Sequence, residues 1–155
     1  MRILFVCLGN ICRSPTAEGV VRHLSAAARP PRHWQLDSAG TADYHLGAAP
    51  DPRTQRAALK RGVDLSALRA RQVVAEDFHC FDLILAMDRS NLDDLNSIRP
   101  RAATATTRLF LDFAPACGLV DVPDPYFGGE VGFETVLNLC EDAGRGLLDA
   151  FADRS

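Results

Sequence analysis

The stretch VCLGNICRSPTAE, residues 6–18, sets two cysteines, an arginine and a serine between an apolar run and a proline-led helix start. Ser14-Pro15 reads as the opening of that helix, with the Ser14 hydroxyl accepting an otherwise unpaired N–H and proline suiting the first turn. The loop 7–13 therefore runs into a helix N-terminus, whose free N–H groups and positive dipole end favour an anion. Gly9 permits a tight turn, and Asn10 tolerates the left-handed backbone that aims successive amides inward. Arg13 adds a planar fork of donors that matches two phosphate oxygens. Cysteines at helix N-termini and beside cations ionise well below a free thiol, at about 3.5–7.5. By that rule Cys7 would be a thiolate facing a bound phosphate. A cysteine after an apolar strand is ordinarily a small core residue, but the loop that follows Cys7 argues against that plainer role.

Such a loop needs a rigid frame. Four short, mostly apolar runs read as buried parallel strands: 2–6, 34–38, 83–87, and 109–111 with its flanks. Helical periodicity lies between them. Ala17, Val20, Val21 and Leu24 recur at i, i+3, i+4, i+7 in the first helix. Phe133, Val136, Leu137, Cys140, Ala143, Leu147 and Phe151 do so in the last. Asp51-Pro52 opens another helix that closes near Gly62, and Asp88 caps one that stops before Pro100. The alternation predicts an α/β fold, a parallel sheet of four strands with helices on both faces. In such sheets the ligand crevice lies off the carboxyl ends of the strands, which is where the loop 7–13 falls.

The chain has 155 residues, enough for one domain with its own core and spanning 1–155. Its 17 Lys plus Arg against 20 Asp plus Glu give a formal charge of −3, which suggests neither a nucleic-acid nor a membrane-surface partner. An anionic substrate must then be held by local positive potential. The apolar start 3–8 is shorter than a signal h-region and no stretch reaches membrane-spanning length, so a cytoplasmic location is expected. Five cysteines, an odd number without a C-x-x-C pair, point to reduced thiols and to no zinc site.

CLGNICRSP, residues 7–15, carries C-x5-R-S and resembles the phosphate-binding loop of the low-molecular-weight protein tyrosine phosphatases at every position. The resemblance continues through WQLDSAGT (34–41), PDPR (50–53), RARQ (69–72), FDLILAMDRSNL (81–92) and VPDPYF (122–127), nearly the whole chain. It fits a bacterial-type member. The resemblance implies a flavodoxin-like strand order 2-1-3-4 and hydrolysis of phosphotyrosine through a phosphocysteine intermediate, with no metal and no cofactor. Cys7 would be the nucleophile and Arg13 would hold the phosphate. Asp124 of the D-P-Y motif would protonate the leaving phenolate and then serve as base for water. Pro125 restricts Asp124 to extended angles. Leu8, Gly9, Asn10, Ile11, Cys12 and Ser14 would surround the phosphate, Ser14 donating to the thiolate and Asn10 locking the loop through Ser38. Leu8, Ile11, Tyr44 and Tyr126 would line the slot for the aromatic ring, with Asp88 near Arg13. Cys12 is implied as a resolving thiol for oxidised Cys7. The implied partners are tyrosine-phosphorylated proteins, a bacterial tyrosine autokinase among them, for a monomer or weak dimer. One departure stands out: family members often carry a histidine shortly before ARQ to support the loop asparagine, and LSALRARQV has none.

Other classes share parts of this pattern. Thiol-dependent arsenate reductases use the same loop but need two more closely spaced cysteines in mid-chain, where only Cys80 lies. A non-catalytic phosphate-binding module would have no use for Cys7, Arg13 and Asp124 together. Protein-arginine phosphatases are a sibling class that carries threonine at the position of Ile11. Cys80, Cys117 and Cys140 read as core or surface thiols, Trp34 as a core residue without a role, and the arginines from Arg53 to Arg71 as a solvated face.

Overall fold

Alternation along the first strand builds the frame. In β1 (Arg2–Cys7) the side chains of Ile3, Phe5 and Cys7 enter the core on one face of the sheet, while Leu4 and Val6 enter the core on the other. This is a computed structural model, and it describes residues 1–154. β1 is followed by α1 (Arg13–Ala27), β2 (Gln35–Gly40), α2 (Pro52–Leu59), the single turn α3 (Asp77–Cys80), β3 (Leu83–Ala86), α4 (Arg89–Ile98), β4 (Thr106–Leu109) and α5 (Glu130–Ala150). The four strands form one parallel sheet in the order β2-β1-β3-β4. Register pairs Cys7 with Gly40 and Val6 with Ala86, so the carboxyl ends of β2, β1 and β3 lie together. α1 and α5 pack on each other over one face. Phe78 of α3 and Leu95 of α4 cover the other.

The α/β class and strand order agree with the sequence reading, while several element boundaries differ. β2 runs from Gln35 to Gly40 rather than 34–38. Trp34 precedes it, buried, with Nε1 donating to the Arg154 carbonyl at 3.0 Å. β4 is Thr106–Leu109, and the apolar run after it bends into a 3₁₀ turn (Phe110–Phe113). As the edge strand, β4 needs one apolar face only, which frees Phe110 and Leu111 to fill the core beneath α5. α1 starts at Arg13 with Cys12 in the capping position, so Ser14 is a helical residue and not the cap. The remaining caps match: Asp51 Oδ1 accepts from Arg53 N at 2.8 Å and Asp88 Oδ1 from Asn91 N at 2.7 Å. α5 lies against the 3₁₀ turn because residue 146 is glycine; a Cβ there would stand 1.7 Å from the Phe113 carbonyl oxygen.

Candidate active site

The loop after β1 folds around the sulfur of Cys7. Asn10 takes up φ 58°, the only positive φ of a non-glycine residue among the described residues. That turn lets Asn10 N donate to Cys7 Sγ at 3.3 Å. The amides of Gly9, Ile11 and Cys12 have no protein acceptor among the described residues, so with the N-terminus of α1 they form a ring of free donors, a cradle for an anion. Gly9 owes its place to space rather than to a special turn: its φ is not positive, and a Cβ would meet the His45 ring at 3.0 Å. Gly40 is the tighter constraint. A Cβ on it would lie 2.6 Å from the Leu8 carbonyl oxygen, while Thr41 N and Ala42 N donate to the carbonyls of Cys7 and Leu8 at 2.9 and 3.0 Å.

Ser14, freed from capping, sits 3.0 Å from Cys7 Sγ through its Oγ. The same oxygen accepts from Asn10 Nδ2 at 2.8 Å, which leaves its proton for the sulfur or for the Ala39 carbonyl at 3.4 Å. Asn10 Nδ2 also donates to Ser38 Oγ at 3.0 Å, Ser38 Oγ donates to Glu18 Oε1 at 2.8 Å, and Asn10 Oδ1 accepts from Arg71 N at 3.0 Å. The support expected of a histidine thus comes from a main-chain amide. Arg71 is itself locked to Asp37 and Asp77, each at 3.0 Å. The chain of arginines read as a solvated face is therefore largely structural: Arg53 pairs with Asp51, Arg61 with Glu134 and Glu141, and Arg71 as described. Solvation alone would suit isolated charges, but each of these three has a carboxylate within reach once the chain folds.

Arg13 is 4% exposed. Nη1 donates to Asp88 Oδ2 at 2.6 Å and to the Val122 carbonyl at 3.1 Å. Burial works against its charge, yet Cys7, Asp88 and Asp124 outweigh it and hold Arg13 above its ordinary basicity. An unpaired guanidinium at this depth would cost several kcal/mol, so Asp88 makes the buried cation tolerable while also capping α4. Asp124 stands on the loop before α5 with Oδ2 3.7 Å from Arg13 Nη2 and its side chain 43% exposed. Its Oδ1 accepts from Tyr126 N at 3.0 Å, which ties the carboxylate to the turn that Pro125 begins.

A cavity of about 200 Å³ opens above the loop, with Cys7, Cys12 and Arg13 at its base and Leu8, Ile11, Tyr44, Asp124 and Tyr126 around it. All the residues expected at the site line this cavity except Asn10 and Ser14, which sit against Cys7 Sγ. Two wall residues escaped the sequence reading. His45 lies between Tyr44 and Tyr126, its ring centroid 6.5 and 6.3 Å from theirs, and Phe127 stacks edge-on against Tyr126 at 4.9 Å. Their adjacency to Tyr44 and Tyr126 in loops at the carboxyl edge was the available signal. Burial pushes the Cys12 thiol up to about 12, with Asp51 and Cys7 acting in the same direction. Cys80 ends α3 just before β3 and so lies at the amino edge of the sheet, away from the cradle at the end of β1.

A cradle of free amides with a thiol at its centre, off the carboxyl end of the first strand of a parallel sheet, defines a phosphate-handling α/β enzyme. Comparison with known proteins narrows this. The family model described as low molecular weight phosphotyrosine protein phosphatase matches residues 2–154. The human low molecular weight phosphotyrosine protein phosphatase is 43% identical over 149 residues, 95% of this chain and 93% of the human one. A crystal structure of a protein tyrosine phosphatase from Entamoeba histolytica superposes with TM-score 0.93 at 38% identity, over 99% of this chain and 97% of that one. A Drosophila arginine phosphatase superposes with TM-score 0.91 at 32% identity, over 97% and 98%. The chain belongs to the low molecular weight phosphotyrosine protein phosphatases and is a protein-tyrosine phosphatase, a hydrolase.

Proposed function

We propose that the enzyme removes phosphate from protein phosphotyrosine in two in-line displacements at Cys7. In the first, the Cys7 sulfur attacks phosphorus, the bond from phosphorus to the phenolic oxygen breaks, and Asp124 gives its proton to the departing oxygen. In the second, Asp124 takes a proton from water as that water attacks phosphorus, the sulfur–phosphorus bond breaks, and phosphate leaves. Arg13 and the amides of residues 8–13 hold the three non-bridging oxygens as charge redistributes. Ser14 stabilises the sulfur when it leaves as an anion. The carrying observation is the position of Cys7 Sγ within reach of Asn10 N and Ser14 Oγ, beneath the unpaired amides of Gly9, Ile11 and Cys12.

The substrate reading rests on the walls. Leu8, Ile11, Tyr44 and Tyr126 line a slot whose base is the sulfur, which suits a flat ring on a long arm and leaves a phosphoserine too short to reach. Tyrosine-phosphorylated proteins, a tyrosine autokinase among them, are the partners we assign, in a reducing compartment such as the cytoplasm, where the Cys7 thiol persists. Under peroxide, Cys7 oxidised to a sulfenic acid would be captured by Cys12, the thiol proton leaving with the sulfenic hydroxyl as water, giving a disulfide that thiols reverse. The test of the covalent route is Cys7→Ser: turnover of a phosphotyrosine peptide should vanish while vanadate or phosphate binding, measured by calorimetry, persists on Arg13 and the amides. A substantial residual rate would sink it.

A further inference from the structure

α2 carries Arg53, Arg56 and, at its C-cap, Lys60, at i, i+3 and i+7, which puts three cations on one stripe. The stripe lines a second cleft, of about 410 Å³, closed on the far side by the first turn of α5 with Glu130 and Phe133. The three cations are not equivalent. Arg53 is committed: it grips both oxygens of Asp51, donates to the Tyr126 carbonyl at 2.9 Å, and lies 5.6 Å from the Tyr126 ring and 4.9 Å from the Phe133 ring. Arg56 and Lys60 are exposed and make no ion pair or side-chain hydrogen bond among the described residues. On the acidic side, Glu134 is held by Arg61 at 2.5 Å, and Glu130 is the one cleft carboxylate without a cation. Two uncommitted cations thus face one uncommitted carboxylate.

Tyr126 joins this cleft to the slot. Its ring lines the slot above Cys7, and its carbonyl is anchored on Arg53 in the cleft wall. A chain that leaves the slot on the Arg53 side of Tyr126 carries a residue neighbouring the phosphotyrosine over the cleft. We infer that the cleft is a second anion subsite, in which Arg56 and Lys60 take an acidic group a few residues from the phosphotyrosine on the same substrate, a carboxylate or a second phosphate. This rests on the proposed slot for the phosphotyrosine. The contacts are solvent-exposed, so the subsite acts on capture of the peptide and not on the chemical step, and salt weakens it.

The test compares three phosphotyrosine peptides with the wild-type enzyme: one flanked by glutamates, the same with glutamines, and the glutamine version with a phosphoserine as the second phosphate. Acidic peptides should show kcat/KM about three- to tenfold above the neutral one, through KM, fading at 0.5 M salt. Arg56→Gln with Lys60→Gln should erase that preference while turnover of p-nitrophenyl phosphate stays unchanged, and Glu130→Gln should enlarge it. Gain by the glutamate peptide assigns a carboxylate ligand, and gain by the doubly phosphorylated peptide alone assigns a phosphate. Equal rates on all three peptides, or a preference that survives the double substitution, would overturn the subsite and leave the phosphotyrosine slot intact. No hydrolysis of any peptide would instead overturn the slot and the subsite together.

Discussion

Asp124 shows how little a single residue does alone. It is tied by Tyr126 N at one oxygen and faces Arg13 with the other, an arrangement that keeps a half-exposed carboxyl at the mouth of the slot. Replacing it by alanine should lower kcat on phosphotyrosine peptides by about 10²- to 10⁴-fold, the worth of a positioned proton transfer. The loss should shrink on p-nitrophenyl phosphate, whose leaving group departs readily as an anion; an equal loss on both substrates would count against the proton-donor role. Ile11 decides a different matter. Its hydrocarbon in the slot wall gives a guanidinium no acceptor, leaving N–H donors unpaired at about 1–3 kcal/mol. Wild type should therefore prefer phosphotyrosine to phosphoarginine, and Ile11→Thr should move the kcat/KM ratio toward phosphoarginine by at least about tenfold. A ratio that does not move removes Ile11 from the specificity argument.

At the scale of elements, the site is a joint between β1, β2 and α1. The loop closes on itself through Asn10, but it is pressed against the end of β2 at Gly40, where the nearest atoms are main chain rather than flexible side chain. Gly40→Ala should displace the Leu8 carbonyl, and with it the neighbouring amides. A shift approaching 1 Å is worth on the order of 10² in rate, so kcat should fall far more than the stability loss of about 1–3 kcal/mol would suggest for an overpacked site. Parallel urea titrations and steady-state kinetics separate the two. Stability lost with kcat retained would show that the loop tolerates the displacement.

The whole molecule places two thiols under α1 and α5 where ionisation is opposed. Burial pushes Cys12 up to about 12, and the fully buried Cys140 is pushed up further for the same reason. In the unfolded chain both ionise near 9. Above that pH the unfolded state holds fewer protons than the folded one, so stability falls as pH rises from about 9 towards about 12. The slope approaches 1.4 kcal/mol per pH unit for each thiol, an estimate from the linkage relation. Urea midpoints followed from pH 8 to 10.5 should drop less steeply for Cys12→Ala than for wild type; an unchanged slope would mean that Cys12 ionises freely in the fold. In the proposed oxidation, the same high value would make capture of oxidised Cys7 slow at neutral pH and faster as pH rises.

Much of this was legible in the one-dimensional pattern, because strand alternation, helical period and caps are local. The first three strands, the caps at Asp51 and Asp88, the left-handed Asn10, and the grouping of Cys7, Arg13 and Asp124 all follow from residue type and spacing together with the family resemblance. What spacing leaves open is where side chains go once neighbours arrive. Ser14 reads as a cap by local rules, yet it lies within α1 and its hydroxyl is taken by Cys7 and Asn10 of the loop. The apolar 109–111 reads as strand, yet an edge position and the space beneath α5 turn part of it into a 3₁₀ turn. The partner of Asn10 is a backbone amide 61 positions away, and Arg61 gains Glu134 and Glu141 only across 73 and 80 positions. Local chemistry determined which groups this protein could use. Which of them meet, and so which charges are spent on structure and which remain free in the cleft beside the slot, was decided by long-range packing, because a hydrogen bond or ion pair of a few ångströms depends on the folded positions of both partners.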